Sequence, residues 1–225
     1  MKPLPALDDA TLMSPPSEAR ERYGAAFERL VAIMARLRGP GGCPWDREQS
    51  LASLRPYLVE ETYEVLEALE VGTPADHREE LGDLLLQVVF QAELRREEGA
   101  FDAADVAHAI ADKLIRRHPH VFGEATADGA AQALEQWERA KSKEKGGRSI
   151  VDGVPRALPA LLRAQRTGEK ASRVGFDWPD VSGALAKLRE ELTELEQAVA
   201  TGERAAIEHE LGDLLFSAVN VARYV

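Results

Sequence analysis

The sequence predicts an all-α protein, a helical bundle with an internal duplication whose second copy is truncated. Three observations carry this. Apolar residues recur at helical spacing over most of the chain. No alternating run of β-branched residues bounded by turn pairs interrupts them. A stretch of acids and apolar residues that begins at Glu60 returns, ungapped, at Glu190.

Taken in order, "MKPLPALDDATLMSPPSEAR" has no apolar core and reads as a loose arm over residues 1–20. A first helix is expected over about 18–38, where Leu30, Ile33, Met34 and Leu37 fall near helical spacing. The stretch "GPGGCPW" breaks it. A second helix starts between Ser53 and Pro56 and runs to about Glu70, with Leu58, Val65 and Leu69 as its apolar stripe. "VGTPADH" is a turn in which Thr73 or Asp76 caps a third helix, His77 to Glu97. Further helices are expected over about 103–117, stopping before Pro119, and 130–145. "KGGRSIVDGVP" reads as a linker. Helices over about 157–173, 182–200 and 205–224 follow. The implied organisation is an arm (1–20), a first helical domain (21–145), a linker (146–156) and a second, truncated helical domain (157–225).

Composition narrows the function. A net charge of −11 over 225 residues argues against binding nucleic-acid backbones, which takes clustered Lys and Arg. No stretch approaches the roughly 18 apolar residues of a membrane span. Cys43 is the only cysteine, which excludes an intrachain disulfide and a cysteine-rich zinc site and fits a reducing cytoplasm.

The duplication fixes attention on carboxylates. A shift of 130 residues aligns Glu60, Glu61, Glu64, Glu80 and Asp83 with Glu190, Glu191, Glu194, Glu210 and Asp213. Glu61 and Glu64 share one face of the second helix, and Glu80 and Asp83 one face of the third. From Leu81 to Phe90 only Gly82, Asp83 and Gln87 interrupt the apolar residues, so this helix is expected to be buried nearly all round, with Asp83 at least partly withdrawn from water. Two helices joined by a short turn bring the four acids together. Such a cluster must take up protons, pair with cations or bind a metal. Oxygen-only ligands suit a hard dication, Mg²⁺ or Mn²⁺. The bland alternative is a solvated acidic face, and Glu60, Glu67 and Glu70 fit it. A di-iron bundle lacks its E-x-x-H pairs here.

E-E-x-x-E followed by E-L-G-D, with "CPWDREQ" and "DKLIRRHPHVFG", resembles the MazG-type nucleoside triphosphate pyrophosphohydrolases from Tyr23 onwards. The resemblance implies an all-α fold shared with dimeric dUTPases, a homodimer, and Mg²⁺-dependent cleavage of (d)NTP to (d)NMP and pyrophosphate. It implies Glu61, Glu64, Glu80 and Asp83 as metal ligands, with Glu60 and Glu61 in the catalytic step and Glu60 orienting the water. It assigns Lys113, Arg117 and Lys141 to the phosphates and Trp137 to stacking on the base, with Arg116 beside them as a further substrate-binding residue. For Arg116 and Arg117 the alternative is a helix C-terminus, where cations are favoured anyway. Trp137 and Trp45 are as readily core residues, and His118 and His120 around Pro119 read as a structural turn.

Only the first repeat is followed by this cationic and aromatic part. The second is expected to support folding or dimerisation, with Glu191, Glu194, Glu210 and Asp213 as vestigial metal ligands. The main reading is a housecleaning enzyme acting on canonical or damaged nucleoside triphosphates. The alternatives are a narrower pyrophosphatase for dUTP or a modified dNTP, and a non-catalytic helical interaction or regulatory module.

Overall fold

The computed structural model describes residues 17–145 and 149–225. They form ten α-helices, one 3₁₀ turn and no strand among the described residues. The helices are α1 (Ser17–Arg38), α2 (Pro44–Glu48), α3 (Arg55–Val71), α4 (Pro74–Glu97), α5 (Ala103–Arg117), α6 (Pro119–Phe122), α7 (Ala130–Lys145), α8 (Ala160–Ser172), α9 (Val181–Thr201) and α10 (Arg204–Ala222). The 3₁₀ turn, Ile150–Gly153, falls where the sequence suggested only a linker, and residues 146–148 of that linker lie outside the described residues. The expected arm lies outside them as far as Pro16, while Ser17 already belongs to α1. The chain divides into two compact units, through Lys141 and from Ser142 onwards.

In the first unit, α3 and α4 pack as a hairpin, and α1 and α5 both lie on α4. Met34 of α1, Leu54 just before α3, and Val89, Phe90 and Leu94 of α4 form the buried core. Phe27, Leu30, Leu37 and Leu86 pack around it. Both long helices after the core carry strong starts. Thr73 accepts from the Asp76 N–H while the Asp76 carboxylate accepts from the Thr73 N–H, a reciprocal cap that begins α4. Asp102 accepts from the N–H groups of Ala104 (2.8 Å) and Asp105 (3.1 Å) at the start of α5.

Arg38, the last residue of α1, ties the "CPWDREQ" segment down. Its guanidinium donates to both oxygens of Glu97 at 2.7 Å, sits 5.5 Å over the Phe90 ring, and donates to the carbonyls of Asp46 and Gln49. Trp45 stays half exposed, edge-on to Tyr57 at 5.8 Å, and does not join the core.

The expectation that α4 is buried nearly all round is not met in this chain. Leu81, Leu85 and Val88, spaced i, i+4, i+7, form an exposed apolar stripe. The helix carries more apolar surface than α1, α3 and α5 cover. On α3, Val59, Tyr63 and Leu66 are exposed at the same spacing.

In the second unit, α8 and α9 both pack on α10. Asp177, ahead of α9, accepts from Arg223 (2.8 and 3.1 Å) and from the Tyr224 hydroxyl (2.7 Å), which fastens the end of α10 to the "GFDW" segment. The two hairpins turn at aligned glycines for different reasons. Gly202 adopts the left-handed conformation (φ 75°) that ends α9. Gly72 has an ordinary φ of −82°, and there a Cβ would meet the Ala68 carbonyl oxygen at 2.7 Å. Gly82 and Gly212, inside α4 and α10, have open space where a Cβ would stand.

Candidate metal centre

The α3–α4 hairpin brings three of the four expected ligands together. Glu61, Glu64 and Glu80 each place a carboxylate oxygen within 4.8 Å of the other two. Their spacing on the helices does this: Glu61 and Glu64 lie one turn apart on α3, and Glu80 projects from α4 across the turn. Asp83, half-buried, and Glu60, exposed and next to Glu61 in the chain, are not among those three residues. Glu80, Asp83 and Gln87 are spaced i, i+3, i+7, so they line one face of α4, separate from the exposed Leu81–Leu85–Val88 stripe.

The electrostatics show the strain of gathered charge. Glu61 is held above the ordinary carboxylate range, first by burial, then by the charges of Asp83 and Glu64. Glu80 is raised as well, by desolvation and then by Glu64 and Asp83. Asp83 therefore acts on both neighbours although it stands outside the triad. Oxygens on opposite sides of a Mg²⁺ ion lie about 4.2 Å apart, twice the metal–oxygen distance. The triad's oxygens lie within 4.8 Å of one another, near the upper limit of what one ion spans, and its donors are oxygen only. The residues fit a hard dication.

The second hairpin repeats the arrangement. Glu191, Glu194 and Glu210 also lie within 4.8 Å of one another. Two features differ. Lys187 reaches Glu190 at 2.7 Å and Glu191 at 2.8 Å, and its pKa is raised strongly by those bonds. Asp213 faces His209, Nε2 3.6 Å away. Both contacts lie at i, i+4 spacing on one helix, and the first hairpin lacks them because the aligned positions hold Tyr57 and Glu79.

The expected phosphate side is assembled in part. Arg117 is buried with its guanidinium 5.1 Å from the Trp137 ring centre, and Lys141 Nζ lies 4.4 Å from the same ring. Lys141 also faces Glu138 at 3.6 Å. Trp137 thus holds two cations. Lys113 is exposed on α5 and Arg116 is half-buried. His118 closes α5 through a contact from Nδ1 to the Leu114 carbonyl at 2.7 Å, and His120 meets Gln136, so both serve the turn.

Sequence reading missed Gln87 as a participant. It is buried, and its Nε2 lies 3.5 Å from Glu61 Oε1. The available signal was its place as the one neutral polar residue in "LLLQVVF".

Comparison with known proteins places this geometry. The model of the MazG nucleotide pyrophosphohydrolase domain matches residues 49–122 and 181–225, which include both carboxylate clusters. The chain is 48% identical over 205 residues to the nucleoside triphosphate pyrophosphohydrolase of Escherichia coli (strain K12), covering 88% of this chain and 78% of that protein. It is 49% identical over 204 residues to the nucleoside triphosphate pyrophosphohydrolase/pyrophosphatase MazG of Thermotoga maritima, covering 90% and 77%. A third relative, the nucleoside triphosphate pyrophosphohydrolase of Mycobacterium tuberculosis, is 42% identical over 170 residues, covering 74% and 50%. With the family's domain matched over both hairpins and relatives this similar over most of the chain, the protein belongs to the MazG nucleotide pyrophosphohydrolase family.

Proposed function

We propose that this protein is a nucleoside triphosphate pyrophosphohydrolase that converts NTPs or dNTPs, canonical or damaged, to the monophosphate and pyrophosphate. The observation that carries the reading is the oxygen triad of Glu61, Glu64 and Glu80 on the α3–α4 hairpin, in a chain of this family. Glu61, Glu64, Glu80 and Asp83 would hold Mg²⁺, or Mn²⁺ in its place. Bound there, the metal supplies charge neutralisation at the phosphates and acidifies the attacking water.

The chain's own groups then divide the work. Glu60 orients the water and takes its proton, assisted by Glu61. The water oxygen attacks the α-phosphorus, the bond from that phosphorus to the bridging oxygen breaks, and pyrophosphate leaves. Lys113, Arg116, Arg117 and Lys141 bind phosphate oxygens, the arginines with a planar fork suited to them. Trp137 stacks on the base once Arg117 or Lys141 shifts from its ring towards phosphate. The working form is a homodimer in the cytoplasm, and the exposed stripes of α3 and α4 support the dimer.

A second reading has its own observation. The Glu191, Glu194 and Glu210 oxygens also lie within 4.8 Å of one another, so the second hairpin is a candidate reaction centre as well. Product analysis separates the two. A panel of NTPs and dNTPs is incubated with Mg²⁺, with Mn²⁺ and with EDTA. Monophosphate plus pyrophosphate is expected with either metal and lost in EDTA. Asp83→Asn should lower turnover by about 100-fold or more, the scale on which a metal site's charge contributes, while Asp213→Asn leaves it near wild type. The reverse pattern assigns the chemistry to the second hairpin. Intact nucleotides under every metal condition would refute the enzyme reading.

A further inference from the structure

The first carboxylate cluster has a buried neighbour with no assigned part. Gln87 is only 6% exposed, lies on the same face of α4 as Glu80 and Asp83, and directs Nε2 at Glu61 Oε1, 3.5 Å away. An ionised carboxylate only accepts hydrogen bonds, so the amide must present its N–H₂ side to Glu61. That orientation leaves Gln87 Oε1 buried with no hydrogen-bond partner among the described residues. Leaving such an acceptor unpaired costs about 1–3 kcal/mol. A leucine or methionine in this apolar helix would avoid that cost.

The second hairpin shows what the side chain does. The position aligned with Gln87 is Ser217, also buried, whose side chain ends two heavy atoms earlier. The carboxylate aligned with Glu61 is Glu191, and there the donor is Lys187 at 2.8 Å. Each hairpin therefore supplies a donor to the first glutamate of its triad. In the second the donor is a cation and cancels charge. In the first it is neutral and leaves the negative charge available.

We propose that Gln87 is a positioning residue, which fixes Glu61 as a metal ligand through a neutral donor and offers Oε1 to a water of the hydrated dication. Mg²⁺ and Mn²⁺ usually keep part of their water shell, and those waters are the donors that Oε1 lacks. This rests on the metal site proposed above for the first hairpin. Partners that orient a ligand in this way typically change metal affinity by about 10- to 100-fold.

Mn²⁺ titration of the full chain, followed by calorimetry or by the loss of the free-ion spin-resonance signal, tests it. Glu210→Gln is included throughout to take the second cluster out of the count. In that background Gln87→Met should weaken Mn²⁺ binding about tenfold, while the metal-free protein unfolds at an unchanged or higher temperature. Combined with Glu61→Gln, Gln87→Met should lose most of its effect on Mn²⁺ affinity, because fixing Glu61 is then no longer at stake and only the contact of Oε1 with a metal-bound water is left to lose. A packing role would persist in that combination. Should the methionine variant not fold, Gln87→Ser, which copies the second hairpin, takes its place with the same expectation. Equal Mn²⁺ affinity with and without Gln87 overturns this inference alone. No Mn²⁺ binding in the parent that retains Gln87 overturns the metal site itself, and this inference with it.

Discussion

At the scale of single residues, the roles divide between groups visible in sequence and groups visible only in space. Glu61, Glu64, Glu80 and Asp83 stand out in the sequence because acids interrupt apolar helices at regular spacing and then do so again 130 residues later. Arg38, Gln87 and Asp177 do not, since each depends on a partner that only folding brings near. Asp177 gives a test at this scale. The Arg223 guanidinium and then the Tyr224 hydroxyl push its carboxyl down to about 2. A depressed carboxylate stabilises the fold fully above its unfolded pKa near 4, and that contribution fades as pH falls through about 2. Asp177→Asn should therefore lower the urea midpoint of the second unit at pH 7. The gap between the two proteins should narrow steadily from pH 4 to pH 2. A gap that stays constant over that range would mean that the aspartate's charge contributes nothing.

At the scale of elements, helix starts and stops follow sequence chemistry closely. The helix expected over 103–117 is α5 with the same bounds, because Asp102 caps it and Pro119 follows it. The third helix begins three residues earlier than expected. Thr73 is the cap, with Pro74 in the first turn, where a proline's missing N–H is no loss. Removing the Asp102 carboxylate should cost about 1 kcal/mol. Asp102→Ala is expected to lower the unfolding midpoint of the first unit while Mn²⁺ affinity holds, since the cap touches α5 and not the α3–α4 hairpin. Weakened metal binding in that variant would tie the α5 start to the carboxylates. What helical periodicity did not reveal is which face of α4 goes uncovered. A helix that is apolar on several faces looks alike in sequence whether its neighbours come from its own chain or from another.

For the whole molecule, that uncovered face sets the expectation for assembly. Leu81, Leu85 and Val88 on α4, and Val59, Tyr63 and Leu66 on α3, each make an exposed apolar stripe rather than isolated exposed side chains. Light scattering after gel filtration should give twice the chain mass, and Leu85→Glu should shift it towards the monomer. A wild-type monomer at micromolar concentration would refute the dimer. The duplication was legible because its spacing is ungapped, and the aligned Leu211 and Leu215 are exposed as Leu81 and Leu85 are. What the exchange of Gln87 for Ser217 does was not legible, because Gln87 meets Glu61, 26 residues away, only once the hairpin has formed. One shared feature remains, the glycine inside each "ELGDLL". Neither Gly82 nor Gly212 is required by a neighbour, and a glycine inside a helix gives up roughly 1 kcal/mol relative to alanine. Each hairpin thus has a soft point next to its last acid. Backbone amides there should open and exchange with solvent ahead of those in the Val89–Leu94 core, and Gly82→Ala should slow that exchange.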